Sequence, residues 1–205
     1  MRKFIAVTIA FLLTVSLSTP SAAATNPYDK KWGTFSTLTL TGQGTDVVEL
    51  PKAVSVGFIT VSHSGESNFI VHSLKSGLAT HEYLINEIGT YEGSVVFGLG
   101  WSKSKTIGFE VEADGDWSIT VLSMSKAPTL TTSGTGTGVF KTTIKARKTV
   151  RFAHTGNSNF IVHQYCTTGS TQYLVNEIGS WSGKKIMAAG TCIVDVLADG
   201  NWSIK

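Results

Sequence analysis

Apolar and polar residues alternate over short stretches along most of the chain, broken every few positions by Gly, Asn, Asp or Ser. Val54 to Val61, Asn68 to Leu74, Ile107 to Ala113 and Trp117 to Leu122 are examples. A period of two sends successive side chains to opposite faces of a strand, and short strands at this spacing predict a sandwich or barrel. Beyond residue 24 no window carries the 3.6-residue period and capping residues of a helix. Ile107, Phe109, Val111 and Ala113 form one apolar face; Cys192, Val194, Val196 and Ala198 form its later equivalent. Phe69, Val71, Phe160 and Val162 read as core, and so do Trp117 and Trp202. Asp114-Gly115 and Asp199-Gly200 lie between apolar runs and predict tight hairpin turns with positive φ.

The alternation occurs twice in the same order. His63-Ser-Gly-Glu-Ser-Asn-Phe-Ile-Val-His72 returns as His154-Thr-Gly-Asn-Ser-Asn-Phe-Ile-Val-His163, 91 positions on. Tyr83-Leu-Ile-Asn-Glu-Ile-Gly89 returns as Tyr173-Leu-Val-Asn-Glu-Ile-Gly179, 90 positions on, and Ala113-Asp-Gly-Asp-Trp-Ser-Ile119 as Ala198-Asp-Gly-Asn-Trp-Ser-Ile204, 85 positions on. Block order is kept while connections shorten, as expected when loops absorb deletions. The chain therefore divides into residues 1–24, an N-terminal segment 25–33, repeat 1 over 34–126 and repeat 2 over 127–205. Each repeat is long enough for one small sandwich core.

Residues 1–24 read as a secretory signal: Arg2 and Lys3, an apolar run Phe4 to Val15, and the small residues Ser21 to Ala24. Removing 24 of 205 residues leaves 181 and a net charge of +1 in place of +3. That balance does not mark a nucleic-acid binder, and no later apolar run reaches the roughly 20 residues of a membrane-spanning helix. With charged residues at 15% against a usual figure near 25%, and with 21 glycines, the composition suits twisted sheets.

Charge differs between the repeats. Residues 33–126 hold five Lys against ten Asp and Glu, a balance of −5; residues 127–205 hold eight Lys and Arg against three acids, a balance of +5. Such asymmetry suits either association between the repeats, within or between molecules, or contact of repeat 2 with an anionic surface. Lys141, Lys145, Arg147 and Arg151 alternate with Ile144, Ala146 and Val150, which predicts one strand with a buried and a basic face. Its candidate partners are teichoic acids, phospholipid head groups or acidic glycans.

Cys166 and Cys192 both lie in repeat 2, where repeat 1 has Lys75 and Ile107. Two cysteines in an exported chain predict one disulfide. It would be a local staple, because the other repeat lacks it. No C-x-x-C pair suggests thiol chemistry.

Both repeats carry His63/His154, Asn68/Asn159, His72/His163, Asn86/Asn176, Glu87/Glu177 and Asp114/Asp199. These are residue types of metal sites and acid/base pairs, yet their spacing matches no zinc-protease, nucleophile-elbow or calcium-loop motif. The expectation is a protein without catalytic residues, metal or cofactor, whose shared polar residues serve turns and strand ends. A binding module fits better. Tyr91 and its counterpart Trp181 follow Ile-Gly-Thr/Ser and precede a further Gly, so they are candidate platforms for sugar rings, with Trp101 as another. Asn86, Glu87, Asn176 and Glu177 are the matching candidate partners for sugar hydroxyls. The expected ligand is cell-envelope polysaccharide or an extracellular glycan. The alternative is a structural, inhibitory or protein-interaction role through the oppositely charged repeats, self-association included.

The strings Ser-Asn-Phe-Ile-Val-His, Asn-Glu-Ile-Gly-x-Tyr/Trp-x-Gly and Ala-Asp-Gly-x-Trp-Ser-Ile resemble a tandem repeat of secreted proteins of Gram-positive bacteria. The likeness covers most of residues 38–205. It implies an exported or wall-associated bacterial protein with jelly-roll-like sandwiches, and it transfers no site residue. The expected fold is all-β: two tandem antiparallel β-sandwich domains after a signal peptide.

Overall fold

The computed structural model describes residues 25–100 and 104–205, and the predicted signal segment 1–24 lies outside them. A short helix α1 (Pro27–Trp32) precedes eight strands: β1 (Leu38–Gln43), β2 (Asp46–Glu49), β3 (Gly57–Ser64), β4 (Asn68–Lys75), β5 (Ala79–Ile88), β6 (Tyr91–Phe97), β7 (Gly108–Glu112) and β8 (Asp116–Leu122). A 3-10 turn at Met124–Lys126 leads to β9 (Ser133–Thr135), β10 (Gly138–Ile144), β11 (Lys148–His154), β12 (Asn159–Cys166), β13 (Thr171–Ile178), β14 (Trp181–Met187), β15 (Gly190–Ala198) and β16 (Asn201–Ile204).

In repeat 1 the sheets run β1-β8-β3-β6 and β2-β7-β4-β5; in repeat 2 they run β9-β16-β11-β14 and β10-β15-β12-β13. Adding eight to each strand number of the first repeat gives the second, so the duplication in sequence is a duplication in topology. Every ladder within these sheets is antiparallel. Eight strands shared between two four-stranded sheets in this order form a jelly roll. The all-β, two-sandwich expectation holds.

Between the sheets of repeat 1, Phe69, Phe97, Phe109, Val111 and Ile119 are fully buried; Phe160, Met187, Val194, Val196 and Ile204 are their buried counterparts in repeat 2. Trp117 and Trp202 sit in the cores as predicted, each indole N–H donating to a glycine carbonyl, Gly44 at 2.8 Å and Gly136 at 2.9 Å. Cys166 and Cys192 are directly opposite on β12 and β15 and form the disulfide. A third apolar cluster joins the repeats. Phe58, Val96, Met124 and Ala127 meet Val139, Tyr165 and Ile193 there.

Three local expectations are corrected. The Asp-Gly steps are not hairpins: β7 and β8 belong to opposite sheets, as do β15 and β16, and neither Gly115 nor Gly200 has positive φ. Glycine is needed at 115 because a Cβ there would collide with the Ser64 carbonyl where the chain crosses over. The stretch from Lys141 to Arg151 is two strands rather than one, since β10 ends at Ile144 and β11 starts in the other sheet at Lys148. Ile144 and Val150 are both buried, so the alternation continues through a corner that it does not reveal.

The third correction is α1, six residues long and too short to display a helical period. Asn26 accepts from the Tyr28 N–H at 3.0 Å and Pro27 starts the helix, both ordinary start signals. The helix carries Tyr28 onto repeat 2, where its hydroxyl approaches the carbonyls of Thr142 and Cys192 at 3.2 and 3.3 Å. The segment preceding repeat 1 thus straps the second repeat.

Candidate functional site

His63 is the penultimate residue of β3 and His154 the last of β11, and the side chains of both are fully enclosed. Each imidazole stacks on a core ring, Phe69 at 4.3 Å and Phe160 at 4.7 Å between centroids. Each Nδ1 lies 2.9 Å from a carbonyl, of Gly89 or Gly179, and because a carbonyl can only accept, Nδ1 bears the proton. Nε2 faces Asp114 Oδ1 at 3.4 Å or Asp199 Oδ1 at 3.2 Å. Asp114 Oδ2 accepts from the Glu66 and Ser67 amides; Asp199 Oδ2 accepts from those of Asn157 and Ser158. The Glu66 amide is the chief cause of the lowered pKa of Asp114, with Ser67 adding to it against desolvation. For Asp199 desolvation is the largest single influence and opposes the shift, but the two amides and His154 together bring it down. A histidine closed to solvent and a carboxylate capping two amides together form a loop lock.

Tyr91 and Trp181 do not stand clear as platforms. Each ring folds back over the glycine two residues on, Gly93 or Gly183, where any Cβ would clash with it. The rings are half-buried and lean on Phe69 and Phe160, at 5.9 and 6.4 Å between centroids. The aromatic-x-glycine spacing therefore makes a seat for the ring on its own strand. Lys185 Nζ lies 5.8 Å from the Trp181 ring. Trp101 lies outside the described residues.

The repeat junction brings Asn86, Glu87 and Tyr91 of repeat 1 together with residues of repeat 2. They line one side of a cleft of about 220 Å³ whose other side is Thr137, Ser158, Asn159, Leu197, Ala198 and Asp199. The Thr137 side chain hydrogen-bonds the Tyr91 hydroxyl, yet burial dominates and pushes that group up to about 12. Burial also raises Glu87, and the charge of Asp199 across the cleft raises it further. Asn176, Glu177 and Trp181 occupy the equivalent end of repeat 2 and are not part of this cleft. Sequence reasoning placed Asn159 and Asp199 in turns and did not find Thr137 or Ser158, because the cleft exists only once the repeats dock.

Alongside the cleft, Asp195 is buried where β15 meets β6. His163 Nδ1 is 3.7 Å from Asp195 Oδ2 and 3.3 Å from the Tyr165 hydroxyl. Burial raises the Asp195 pKa against the opposing influence of His163 and the Val96 amide of repeat 1. A buried carboxylate is thus part of the contact between repeats.

The basic candidates are dispersed. Lys141 donates from Nζ to the Ser125 carbonyl at 3.2 Å, Lys145 and Arg147 occupy the corner between sheets, and Arg151 lies on the opposite sheet, donating to Ser182 Oγ at 3.0 Å. Lys145, Lys148 and Lys205 border a groove of about 480 Å³ at the corner. Among the described residues no group of three or more His, Cys, Asp and Glu side chains is placed to hold a metal ion, and no helix is long and apolar enough to cross a membrane. No protein-family model matches the chain, and no curated protein matches it.

Proposed function

We propose that this chain is an exported, non-catalytic binding protein that holds a sugar residue of cell-envelope or extracellular polysaccharide in the cleft between its repeats. One observation carries the reading: two repeats combine side-chain amides, carboxylates, hydroxyls and a tyrosine edge around a single cavity. Sugars offer hydroxyls that need both donors and acceptors, together with C–H faces that favour aromatic and aliphatic edges. Asn86 and Asn159 supply both hydrogen-bonding roles, one from each repeat; Tyr91, Leu197 and Ala198 supply the apolar side. At about 220 Å³ the cleft is smaller than the roughly 300–1,000 Å³ of pockets that enclose whole small molecules, which suits one residue of a longer glycan.

The disulfide and the leader-like first 24 residues support an extracellular or wall-associated location, and the three repeat blocks support a kinship with exported bacterial proteins. A non-catalytic role rests on the enclosed histidines and on the capping work of Asp199.

The test is retention of the disulfide-bonded protein on insoluble peptidoglycan, chitin and cellulose at low and high salt. Asn86→Ala/Asn159→Ala and Trp181→Ala are compared with the native chain. Salt-resistant retention lost in the Asn pair but kept in Trp181→Ala is expected. Absence of retention on every polymer would refute the reading. Retention abolished by salt and indifferent to the Asn pair would move the contact to the basic residues of repeat 2.

A further inference from the structure

We propose that copies of this chain associate head to tail, the basic outer face of repeat 2 in one molecule docking on the acidic outer face of repeat 1 in the next. The inference goes beyond glycan binding and needs no glycan.

Its template is the junction inside the molecule. There the outer side of β6 covers the outer side of β10 and β15: Val96 packs with Val139 and Ile193, the Ser94 amide meets the Thr137 carbonyl at 3.4 Å, and Asp195 is enclosed. Because the repeats share one topology, each half of this contact has a second, uncovered copy. Strand pairing sets the correspondence. Val139 opposite Asp195 in repeat 2 is matched by Val47 opposite Glu110 in repeat 1. Ser94 and Val96 of β6 are matched by Lys184 and Ile186 of β14, and Thr60 opposite Ser94 by Arg151 opposite Lys184.

Exposure follows coverage. Val139 is 2% exposed and Val47 47%; Val96 is 8% exposed and Ile186 50%. The Asp195 side chain is 3% exposed and that of Glu110 37%. Thus each repeat keeps one apolar residue of the joint at a position that none of the described residues covers.

The charges around the uncovered halves are opposite. Ile186 is flanked by Lys184 and Arg151, while Val47 is flanked by Glu110 and Glu112. Within the molecule the same positions beside Val96 are the neutral Ser94 and Thr60, so the substitutions that distinguish the repeats make the free faces complementary. Opposite charge steers such docking and makes it dependent on ionic strength. The contact joins two different faces, so it does not close on itself as a two-fold dimer would and propagates into a chain or ring. Without the α1 strap and the 3-10 linker, the joint between molecules is weaker than the one within.

Sedimentation velocity without polysaccharide, over a concentration series at 20 mM and 500 mM salt, tests the proposal. The native protein is expected to form species beyond the dimer that grow with concentration at low salt and dissociate at high salt. Lys184→Glu/Arg151→Glu and, separately, Glu110→Lys/Glu112→Lys should each remain monomeric with native circular dichroism. Mixed, they should assemble again at low salt, because the two reversed faces complement each other as the two intact ones do. If the acidic-face variant does not fold, Val47→Lys on the edge strand β2 replaces it. A monomer under all conditions, or assembly unchanged by these variants, overturns the proposal. Neither result bears on glycan retention, which is read on immobilised polymer.

Discussion

His63 Nε2 and Asp114 Oδ1 stand 3.4 Å apart, and the same pair in the second repeat, His154 and Asp199, stands 3.2 Å apart. The imidazole also holds the Gly89 or Gly179 carbonyl, and the aspartate holds two amides of the loop between the third and fourth strands of its repeat. Three separate connections at one end of each sandwich are thereby fixed around a single buried ring. This explains why His, Asn-Glu-Ile-Gly and Ala-Asp-Gly recur together: they are parts of one lock.

The lock makes stability depend on acid. Asp114 and Asp199 have folded-state pKa values below the ordinary carboxylate value. Their contribution is complete above the unfolded pKa, near 4, and is lost as pH falls through the lower folded values. Thermal unfolding between pH 6 and pH 2.5 should show a falling midpoint. Asp114→Asn/Asp199→Asn should lower the midpoint at pH 6 and flatten the slope. A slope parallel to that of the native protein would exclude these residues as its source.

Asp195 acts with the opposite sign. Burial raises its pKa, so its ionised form is disfavoured in the folded state, and stability falls as pH rises from the unfolded pKa through the folded one. Asp195→Asn keeps an acceptor beside the Val96 amide and removes the charge. The variant should melt higher than the native protein at pH 8, with the difference shrinking toward pH 4. A lower midpoint for the variant at every pH would mean that the His163 pair outweighs the burial cost.

Cys166 and Cys192 close a loop of 26 residues within repeat 2. The chain-entropy model gives about 3.5 kcal/mol for a loop of that length. Cys166→Ser/Cys192→Ser should lose stability on that order in chemical denaturation, with hydrogen exchange accelerated in β12 and β15 first. Equal acceleration in β4 and β7 would show that the staple supports both repeats.

Gly183 lies beneath the Trp181 ring. Gly183→Ala forces the indole off its seat on Phe160 and should cost roughly 1–3 kcal/mol, as overpacking does. Loss of the Trp181 near-ultraviolet circular dichroism band, judged against Trp181→Phe, reports the displacement. An unchanged band would mean that the ring has room the geometry does not suggest.

The class of fold and the duplication were legible because both depend on local alternation and on self-similarity. Phe69, Val71, Trp117 and the disulfide occupy the places their patterns implied. Two of the failures share one cause: a sequence period cannot tell a turn within a sheet from a crossing between sheets. Asp114-Gly115 reads as a hairpin turn and the corner at residues 145–147 as continuous strand, and both change sheets. The cleft was half legible. Asn86, Glu87 and Tyr91 were singled out, but their partners Thr137, Ser158, Asn159 and Asp199 come from another repeat and are set by docking, which leaves no local pattern. Tyr28 was missed for the same reason, since its hydroxyl partners are carbonyls more than a hundred residues away.

The central claim is that the glycan site is the cleft shared by the repeats. Amide chemical-shift mapping with soluble fragments of whichever polymer retains the protein tests it most directly. Titration should shift the resonances of Asn86, Glu87, Thr137, Ser158 and Asn159 together with one dissociation constant, while Asn176, Glu177 and Trp181 stay in place. Shifts confined to Asn176, Glu177 and Trp181, or to the lysines around residue 145, would contradict it.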